Sequence, residues 1–268
     1  MAVDLKESFI KKILLLTLAS IAVILVIANL IGKDITSTVS LILYFPVTIS
    51  LIIVSVILSK RFGLKGSHGS AWLLFTIFAI LWFIAERISL YYNLTLGEEL
   101  FPSIADAFWL AGYPFLFVFM IYYLKPMKEM VDNKILFFAI LTSAIVLIFT
   151  LYITYSQNDI SDPFPFAVAI SYPIGDAIIL APAMCGMLLF FGGKVNFLWS
   201  LMCIAIVIET VADTGYLLAT LNGSYYQGHL VDVLFLWCYA IFTFAVYHHI
   251  TLFKDHRKDP YKQVEDLK

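Results

Sequence analysis

The chain has 268 residues, of which 62% are hydrophobic and 13% are charged, and its mean hydropathy is +0.93. Because the apolar share of a soluble domain is about one half, this composition excludes an ordinary soluble protein. The formal net charge of −2 says nothing about nucleic acid, but no basic patch with interleaved aromatic residues occurs outside the helix flanks, so we expect no nucleic-acid partner. We therefore predict a multi-pass membrane protein whose first partner is the lipid bilayer.

Eight apolar runs are long enough to cross a hydrocarbon core, for which about 20 helical residues suffice. The runs cover residues 10–31, 39–58, 71–92, 104–124, 135–155, 166–191, 197–221 and 230–252. They predict an all-α bundle of eight transmembrane helices. The first run is too long for a cleaved signal peptide, so we expect it to remain in the protein.

Lysine and arginine are distributed unevenly among the connections between these runs. Of the 17 residues, 15 lie at the N-terminus, in the second, fourth and sixth connections or at the C-terminus. The opposite connections hold only Lys33, and Arg87 lies within the third run. By the positive-inside rule this places both termini in the cytoplasm, and we expect the protein in the cell membrane.

The two halves of the chain resemble each other. Matching residues lie 127 positions apart in three places: Pro46 and Pro173, Trp72 and Trp199, and Glu86 and Asp213. Asp106 and Asp232 lie 126 positions apart, and a tyrosine follows each of them by seven residues. We predict two parallel four-helix repeats, residues 1–126 and 127–253, and a short charged cytoplasmic tail, residues 254–268.

The acidic residues of the first repeat lie toward the outer ends of its helices. The third predicted helix carries Glu86, a loop with Glu98 and Glu99 follows, and the fourth predicted helix begins with Asp106. Acidic residues in membrane-length segments are costly, so they usually face the interior of the bundle and mark a site. Asp106 has a second interpretation as a cap or first-turn residue, and so has Asp232 at the start of the eighth helix.

The second repeat places acidic residues deeper. Asp176 lies about ten residues inside the sixth predicted helix, roughly 15 Å at helical rise, where a first-turn role does not explain it. Glu209 and Asp213 are four residues apart in the seventh predicted helix, so they share a face. Two like charges at that spacing in a low-dielectric interior require a proton, a cation or a hydrogen-bond donor. The first and fifth helices are nearly all aliphatic, which is typical of lipid-facing helices.

Together these residues predict one outward-facing pocket with acidic and aromatic walls. Each aromatic residue taken singly also fits an ordinary core or interfacial position. The predicted lining comprises Glu86, Asp106, Trp109, Tyr113, Tyr172, Asp176, Glu209, Asp213, Asp232 and Tyr239, with Tyr216 and Trp237 as further aromatic candidates. We expect Pro46, Pro114 and Pro173 to act as helix-breaking hinges.

The residues specify no cofactor. Calcium held by clustered carboxylates, or zinc held by His229 with carboxylates, is compatible with the pattern, and neither is required. No His-Glu-x-x-His or Gly-x-Ser-x-Gly motif occurs in the chain, so an enzyme is the less favoured class.

Several short motifs occur together in the chain. They are Pro-Ser-Ile-Ala-Asp at 102–106, Gly-Tyr-Pro at 112–114, Ser-Tyr-Pro-Ile-Gly-Asp at 171–176, Ala-Asp at 212–213, Asn-Gly-Ser-Tyr-Tyr at 222–226 and Asp232. In this combination, over predicted helices two to four and six to eight, the chain resembles the polytopic N-terminal sensor regions of some archaeal histidine kinases and bacterial diguanylate cyclases. The resemblance implies a signalling input module and supplies no ligand. Since no kinase, PAS or cyclase domain follows the eighth helix, we expect a stand-alone module.

We therefore expect a membrane sensor or receptor whose pocket binds a small ligand, a cation or a proton. Its signal would leave through a partner at the basic cytoplasmic face. The alternative is a secondary transporter or cation carrier that uses the same carboxylates, which would need a water path past Glu209 to the inside. A membrane enzyme and a purely structural subunit also remain open.

Overall fold

The computed structural model describes residues 2–63, 66–96, 101–157, 162–191 and 197–258. Within these ranges the chain is helical and forms no β-strand. Its α-helices are α1 (Ala2–Ile31), α2 (Lys33–Phe62), α3 (Gly66–Leu96), α4 (Ile104–Leu124), α5 (Asn133–Gln157), α6 (Pro163–Phe191), α7 (Phe197–Leu221) and α8 (Asp232–Lys258). All eight are long and apolar enough to cross a membrane. The all-α prediction is confirmed, and eight such helices fit a multi-pass membrane protein.

Several helices extend beyond the apolar runs that predicted them. α2 begins at Lys33 and not at residue 39, and α8 continues to Lys258 and not to residue 252. An apolar run marks only the part of a helix that suits hydrocarbon, whereas backbone hydrogen bonding continues into polar flanks. The predicted tail therefore begins as part of α8. Its residues 259–268, and the predicted acidic loop at Glu98 and Glu99, lie outside the described residues.

The three prolines expected to break helices do not end them. α2 continues through Pro46, α4 through Pro114 and α6 through Pro173. A proline removes one backbone donor, but neighbouring helices and the intact turns on either side can hold the helix in a bundle. Each proline therefore leaves the carbonyl four residues earlier without its helical N–H donor, but it does not divide the helix.

Six helices form a closed ring. In order around the ring they are α2, α3, α4, α6, α7 and α8, and α8 packs against α2 again. α1 lies outside against α2 and α8, while α5 lies outside against α6 and α7. Their outer faces are apolar and exposed, as Leu16 (67%) and Ile148 (69%) illustrate. The prediction that the first and fifth helices are peripheral agrees with this arrangement.

The interior of the ring is divided into an apolar half and a polar half. The apolar half lies toward the α2–α3 and α4–α5 connections. An aromatic plug fills it, consisting of the fully buried side chains of Trp72, Phe75, Phe78, Phe119 and Phe242. Neighbouring rings in the plug have centroids 4.9–5.8 Å apart. Buried aliphatic residues of α6 and α7, including Ile179 and Ile206, complete this half.

The polar half lies toward the α1–α2, α3–α4 and α7–α8 connections, and its boundary is built on a close helix contact. Trp82 of α3 lies over Gly112 of α4 and donates from Nε1 to the carbonyl oxygen of Trp109, at 3.0 Å. A Cβ atom at Gly112 would overlap the Trp82 indole. Glycine is therefore required here so that α3 and α4 can approach closely.

We predict that Gly112→Ala destabilises the protein by about 1–3 kcal/mol, since the added methyl group must displace a buried and hydrogen-bonded indole. The apparent melting temperature in detergent would fall by several degrees. Ala111→Leu adds more volume at the neighbouring exposed position and should leave the melting temperature unchanged. An unchanged or raised melting temperature for Gly112→Ala would contradict the close contact.

Candidate functional site

A cavity of about 440 Å³ occupies the polar half of the ring. Its lining includes Gly223, Tyr225 and Gln227 of the α7–α8 loop. Nine of the ten predicted site residues line it: Glu86, Asp106, Trp109, Tyr113, Tyr172, Asp176, Glu209, Asp213 and Tyr239. Asp232 does not. We call this space the acidic cavity, because its described lining contains five carboxyl groups and no Lys, Arg or His.

The hydroxyl group of Tyr113 joins two of the carboxyl groups. It lies 2.8 Å from Asp176 Oδ1 and 3.2 Å from Asp213 Oδ2. The two carboxyl groups are also in hydrogen-bonding contact with each other. A hydroxyl group has one proton to donate, so the remaining contacts require a proton on one of the carboxyl groups. Tyr113, Asp176 and Asp213 therefore form a self-satisfied cluster that links α4, α6 and α7.

A second tyrosine makes the corresponding contact across the ring. Tyr239 of α8 donates to Glu86 Oε1 of α3 at 2.9 Å. The ring of Tyr239 is 2% exposed, and Glu86 is half-buried on the cavity wall. Arg87, the next residue, lies instead over the rings of Phe45 and Phe83, at 5.5 and 5.3 Å from their centroids. Neighbouring residues of an α-helix point about 100° apart, so Glu86 and Arg87 lie on different faces of α3.

Glu209 lies near the middle of α7, at the deep end of the acidic cavity. Its side chain is 5% exposed, and the Cys238 thiol hydrogen-bonds to its carboxyl group. Its other oxygen, Oε2, has no hydrogen-bond partner among the residues that the structure describes. Because buried polar atoms are nearly always paired, this atom is the least satisfied polar group on the cavity wall.

Asp106 has both roles that the sequence left open. Its Oδ2 accepts the backbone N–H of Ser103 at 2.6 Å, and the two residues form a capping box at the start of α4. Its Oδ1 accepts the hydroxyl group of Tyr172 at 2.7 Å, and both side chains line the cavity. Asp106 therefore fixes the rim of the cavity by holding α4 against α6.

Asp232 is a structural residue of the α7–α8 loop. It is fully buried, and its Oδ2 accepts the backbone N–H of Gly228 at 2.7 Å. Ser40 of α2 and Tyr225 donate to it as well, at 3.3 and 3.2 Å. The first-turn interpretation thus describes Asp232, and it is not among the residues that line the cavity.

His229 does not meet the carboxylates. It contacts the rings of Tyr225 and Tyr226, and its Nδ1 accepts the backbone N–H of Val231 at 3.2 Å. Partial burial and the neighbouring Lys33 lower the pKa of His229. Among the described residues no three of His, Cys, Asp and Glu are grouped so that they could hold a metal ion. The described carboxylates are therefore not arranged as the calcium or zinc sites that the sequence left open.

The structure adds lining residues that the sequence did not single out. The most consequential are Tyr44, Trp82, Thr150 and Thr154. Trp82 precedes Glu86 by one helical turn, a spacing that could have placed both on one face. Thr150 and Thr154 are also one turn apart, but they lie in the fifth helix, which is otherwise nearly all aliphatic and was interpreted as lipid-facing. Of the further aromatic candidates Tyr216 lines the cavity, whereas Trp237 donates to the Leu18 carbonyl of α1 at 2.9 Å.

The backbone also contributes to the cavity wall. Pro173 and Ala169 both line the cavity. Because proline has no N–H, it cannot donate to the carbonyl four residues earlier, which belongs to Ala169. The lining therefore combines carboxyl groups and aromatic rings with a residue whose carbonyl lacks a helical donor. The carboxyl groups and ring faces favour a ligand that carries positive charge or hydrogen-bond donors.

Comparisons with protein-family models, with curated proteins and with solved structures found no match to this chain. The resemblance to sensor regions of histidine kinases and diguanylate cyclases therefore stays a prediction.

We predict that Tyr113→Phe destabilises the protein by about 1–3 kcal/mol, because it removes the hydroxyl group from two buried carboxyl groups. The measurement is thermal unfolding in detergent at pH 7. Tyr152→Phe is the matched control, since Tyr152 of α5 is 71% exposed. Equal melting temperatures for the two variants would contradict the Tyr113 cluster.

We also predict that His229 titrates below the ordinary histidine pKa of about 6.5. A lowered pKa means that the unfolded chain binds the proton first, so this residue contributes stability above about pH 6.5 that is lost on acidification. Histidine-selective NMR in detergent would measure its pKa, and Lys33→Gln should raise it. A pKa at or above 6.5 in the parent protein would contradict the environment described.

Proposed function

We propose that this chain is a membrane sensor or receptor whose acidic cavity binds a small ligand. The observation that carries the proposal is a cavity of about 440 Å³ whose described wall has five carboxyl groups and no basic side chain. That volume is in the range of small-molecule sites, which are about 300–1,000 Å³. Buried acidic residues in membrane-length helices most often serve binding or ion pathways.

We propose that the cavity opens to the outside of the cell membrane. The lysine and arginine distribution places both termini in the cytoplasm, and the α7–α8 loop that lines the cavity is then extracellular. The opposite end of the bundle carries most of the basic residues. A cytoplasmic signalling partner would bind there, near the contact in which Arg61 of α2 donates to the Ile250 carbonyl of α8 at 2.7 Å.

We further propose that the bundle consists of two parallel four-helix repeats. Exchanging the first four helices with the last four leaves the order of the six-helix ring unchanged. The two tyrosine contacts are exchanged as well. Tyr113 of the first repeat contacts Asp213 of the second, and Tyr239 of the second contacts Glu86 of the first. The cavity then lies between the repeats.

The aromatic plug favours binding over transport. Its five fully buried side chains separate the acidic cavity from the basic end of the bundle. A receptor needs access from one side, whereas a carrier must also open to the other. Opening past the plug would require repacking of rings whose centroids are as close as 4.9 Å.

A secondary transporter or cation carrier is the second candidate. The observation that favours it is the position of the cavity between two proposed repeats, joined by tyrosine–carboxyl hydrogen bonds that reciprocal motion of the repeats could break. The carboxyl groups would then bind and release the transported cation.

Cysteine accessibility would test the proposed orientation and one-sided access. In a background in which Cys185, Cys203 and Cys238 are replaced by alanine, Ser89→Cys places a thiol on the cavity wall. We expect a membrane-impermeant maleimide to label it in intact cells. Lys128→Cys, at an exposed position on the opposite end, is the control and should be labelled only after lysis.

Labelling of Lys128→Cys in intact cells, with Ser89→Cys labelled only after lysis, would overturn the orientation. Labelling of Ser89→Cys from both faces, in intact cells and in inside-out vesicles, would contradict the receptor and support the carrier. If the thiol is labelled from neither face, the cavity is not a site for ligands from solution, and both candidates fail.

A further inference from the structure

Glu209 sets a chemical requirement on whatever occupies the acidic cavity. It is 5% exposed, it lines the cavity, and its Oε2 has no hydrogen-bond partner among the described residues. A buried carboxylate without a partner is strongly unfavourable. This oxygen therefore needs a proton, a cation or a ligand donor.

The neighbouring groups do not supply that donor. Asp213, one turn along α7, is engaged with Tyr113 and Asp176. The hydroxyl of Tyr239 is directed to Glu86. A proton shared in the Tyr113 cluster neutralises part of the acidic charge, and the carboxyl group of Glu209 lies outside that cluster.

Aromatic rings surround the same end of the cavity. We call them the ring box; its members, in order of contact, are Tyr113, Trp82, Tyr239 and Tyr44. Successive centroids are 6.0, 6.0 and 6.4 Å apart, with interplanar angles of 69–83°. All four rings are at most 6% exposed and line the cavity. Ring faces attract organic cations, most strongly when water is excluded.

We propose that the acidic cavity binds a small organic ammonium ion, with its N–H groups donating to Glu209 and its hydrocarbon part against the ring box. This inference rests on the proposed function, because it names the ligand class of the same cavity. The ammonium group satisfies Oε2 and balances the negative charge. The hydrocarbon part buries apolar surface on the rings.

Other occupants fit the cavity less well. A calcium ion needs six to eight oxygen ligands, whereas the described carboxyl groups form no metal-holding cluster. A quaternary ammonium ion would gain from the rings but has no N–H group to donate to Glu209. Anions are opposed by every charged group on the described wall. Protonation of Glu209 alone is the remaining competitor, and it predicts no selectivity for amines.

Calorimetry and thermal unfolding of the full chain in detergent at pH 7 would test the inference. The probes are 2-phenylethylammonium, butylammonium, the uncharged isostere 2-phenylethanol, the anion 3-phenylpropionate and calcium. We expect at least one of the two amines to bind, and phenylethylammonium to bind at least tenfold more tightly than phenylethanol. Glu209→Gln keeps the shape of the side chain and should lose at least tenfold in amine affinity.

Two further variants keep the result interpretable. Asp34→Asn removes an exposed charge at the same end of the bundle and should bind amines like the parent. Trp82→Phe replaces the indole of the ring box with a smaller ring that attracts cations less strongly, so it should weaken amine binding more than phenylethanol binding. If Glu209→Gln does not fold, the unequal effect of Trp82→Phe on the binding of phenylethylammonium and of phenylethanol still tests the inference.

Equal binding of phenylethylammonium and phenylethanol, equal amine binding by parent and Glu209→Gln, or calcium binding without amine binding would each overturn the inference. Failure of the proposed function is distinguishable from these results. If phenylethanol or phenylpropionate protects Ser89→Cys from maleimide in intact cells, the receptor cavity stands and only the ammonium ligand falls. If no probe binds and Ser89→Cys is not labelled, both fail.

Discussion

The structure depends on hydrogen bonds from buried tyrosines to carboxyl groups on other helices. An isolated carboxylate in an apolar bundle is prohibitively costly, so each one must find a donor, a proton or a cation. Tyr113 meets this requirement for Asp176 and Asp213 together with a proton on one of the two carboxyl groups, and Tyr239 meets it for Glu86. Because each bond joins different helices, satisfying the carboxyl groups also holds α3, α4, α6, α7 and α8 around one cavity.

The packing of the apolar half fills the part of the ring interior that the cavity does not occupy. The aromatic plug fills that space, and Gly112 lets Trp82 approach α4 closely at the boundary between the two halves. Closely packed protein interiors resist gradual deformation. A ligand bound at the boundary would therefore act on α3, α4 and α8 together, which are the helices that contribute the plug. Such a connection is what a receptor needs to pass a change at its ligand site to the opposite face.

Much of the candidate site could be predicted because an acidic residue within an apolar run is costly to bury and is easily recognised in a sequence. Glu86, Asp176, Glu209 and Asp213 stood out by their depth in apolar runs, and all line the cavity. Asp232 was also predicted to line the pocket, from its place at the start of the eighth helix, but it does not, since position along a helix does not say which way a side chain faces. Tyr44 and Trp82 were overlooked for the opposite reason: an aromatic residue in an apolar run carries no penalty that would distinguish a cavity wall from a core.

The sequence alone determined the number of apolar helices, the asymmetry of basic residues and the depth of the acidic ones. These features follow from the transfer free energy of each residue between water and hydrocarbon, which is a local property. Only the tertiary structure decided that six helices close into a ring, that α1 and α5 lie outside it, and that Glu209 keeps an oxygen without a partner among the described residues. Those facts depend on which helix faces meet, and that is settled by packing between residues a hundred or more positions apart, such as Tyr113 and Asp213.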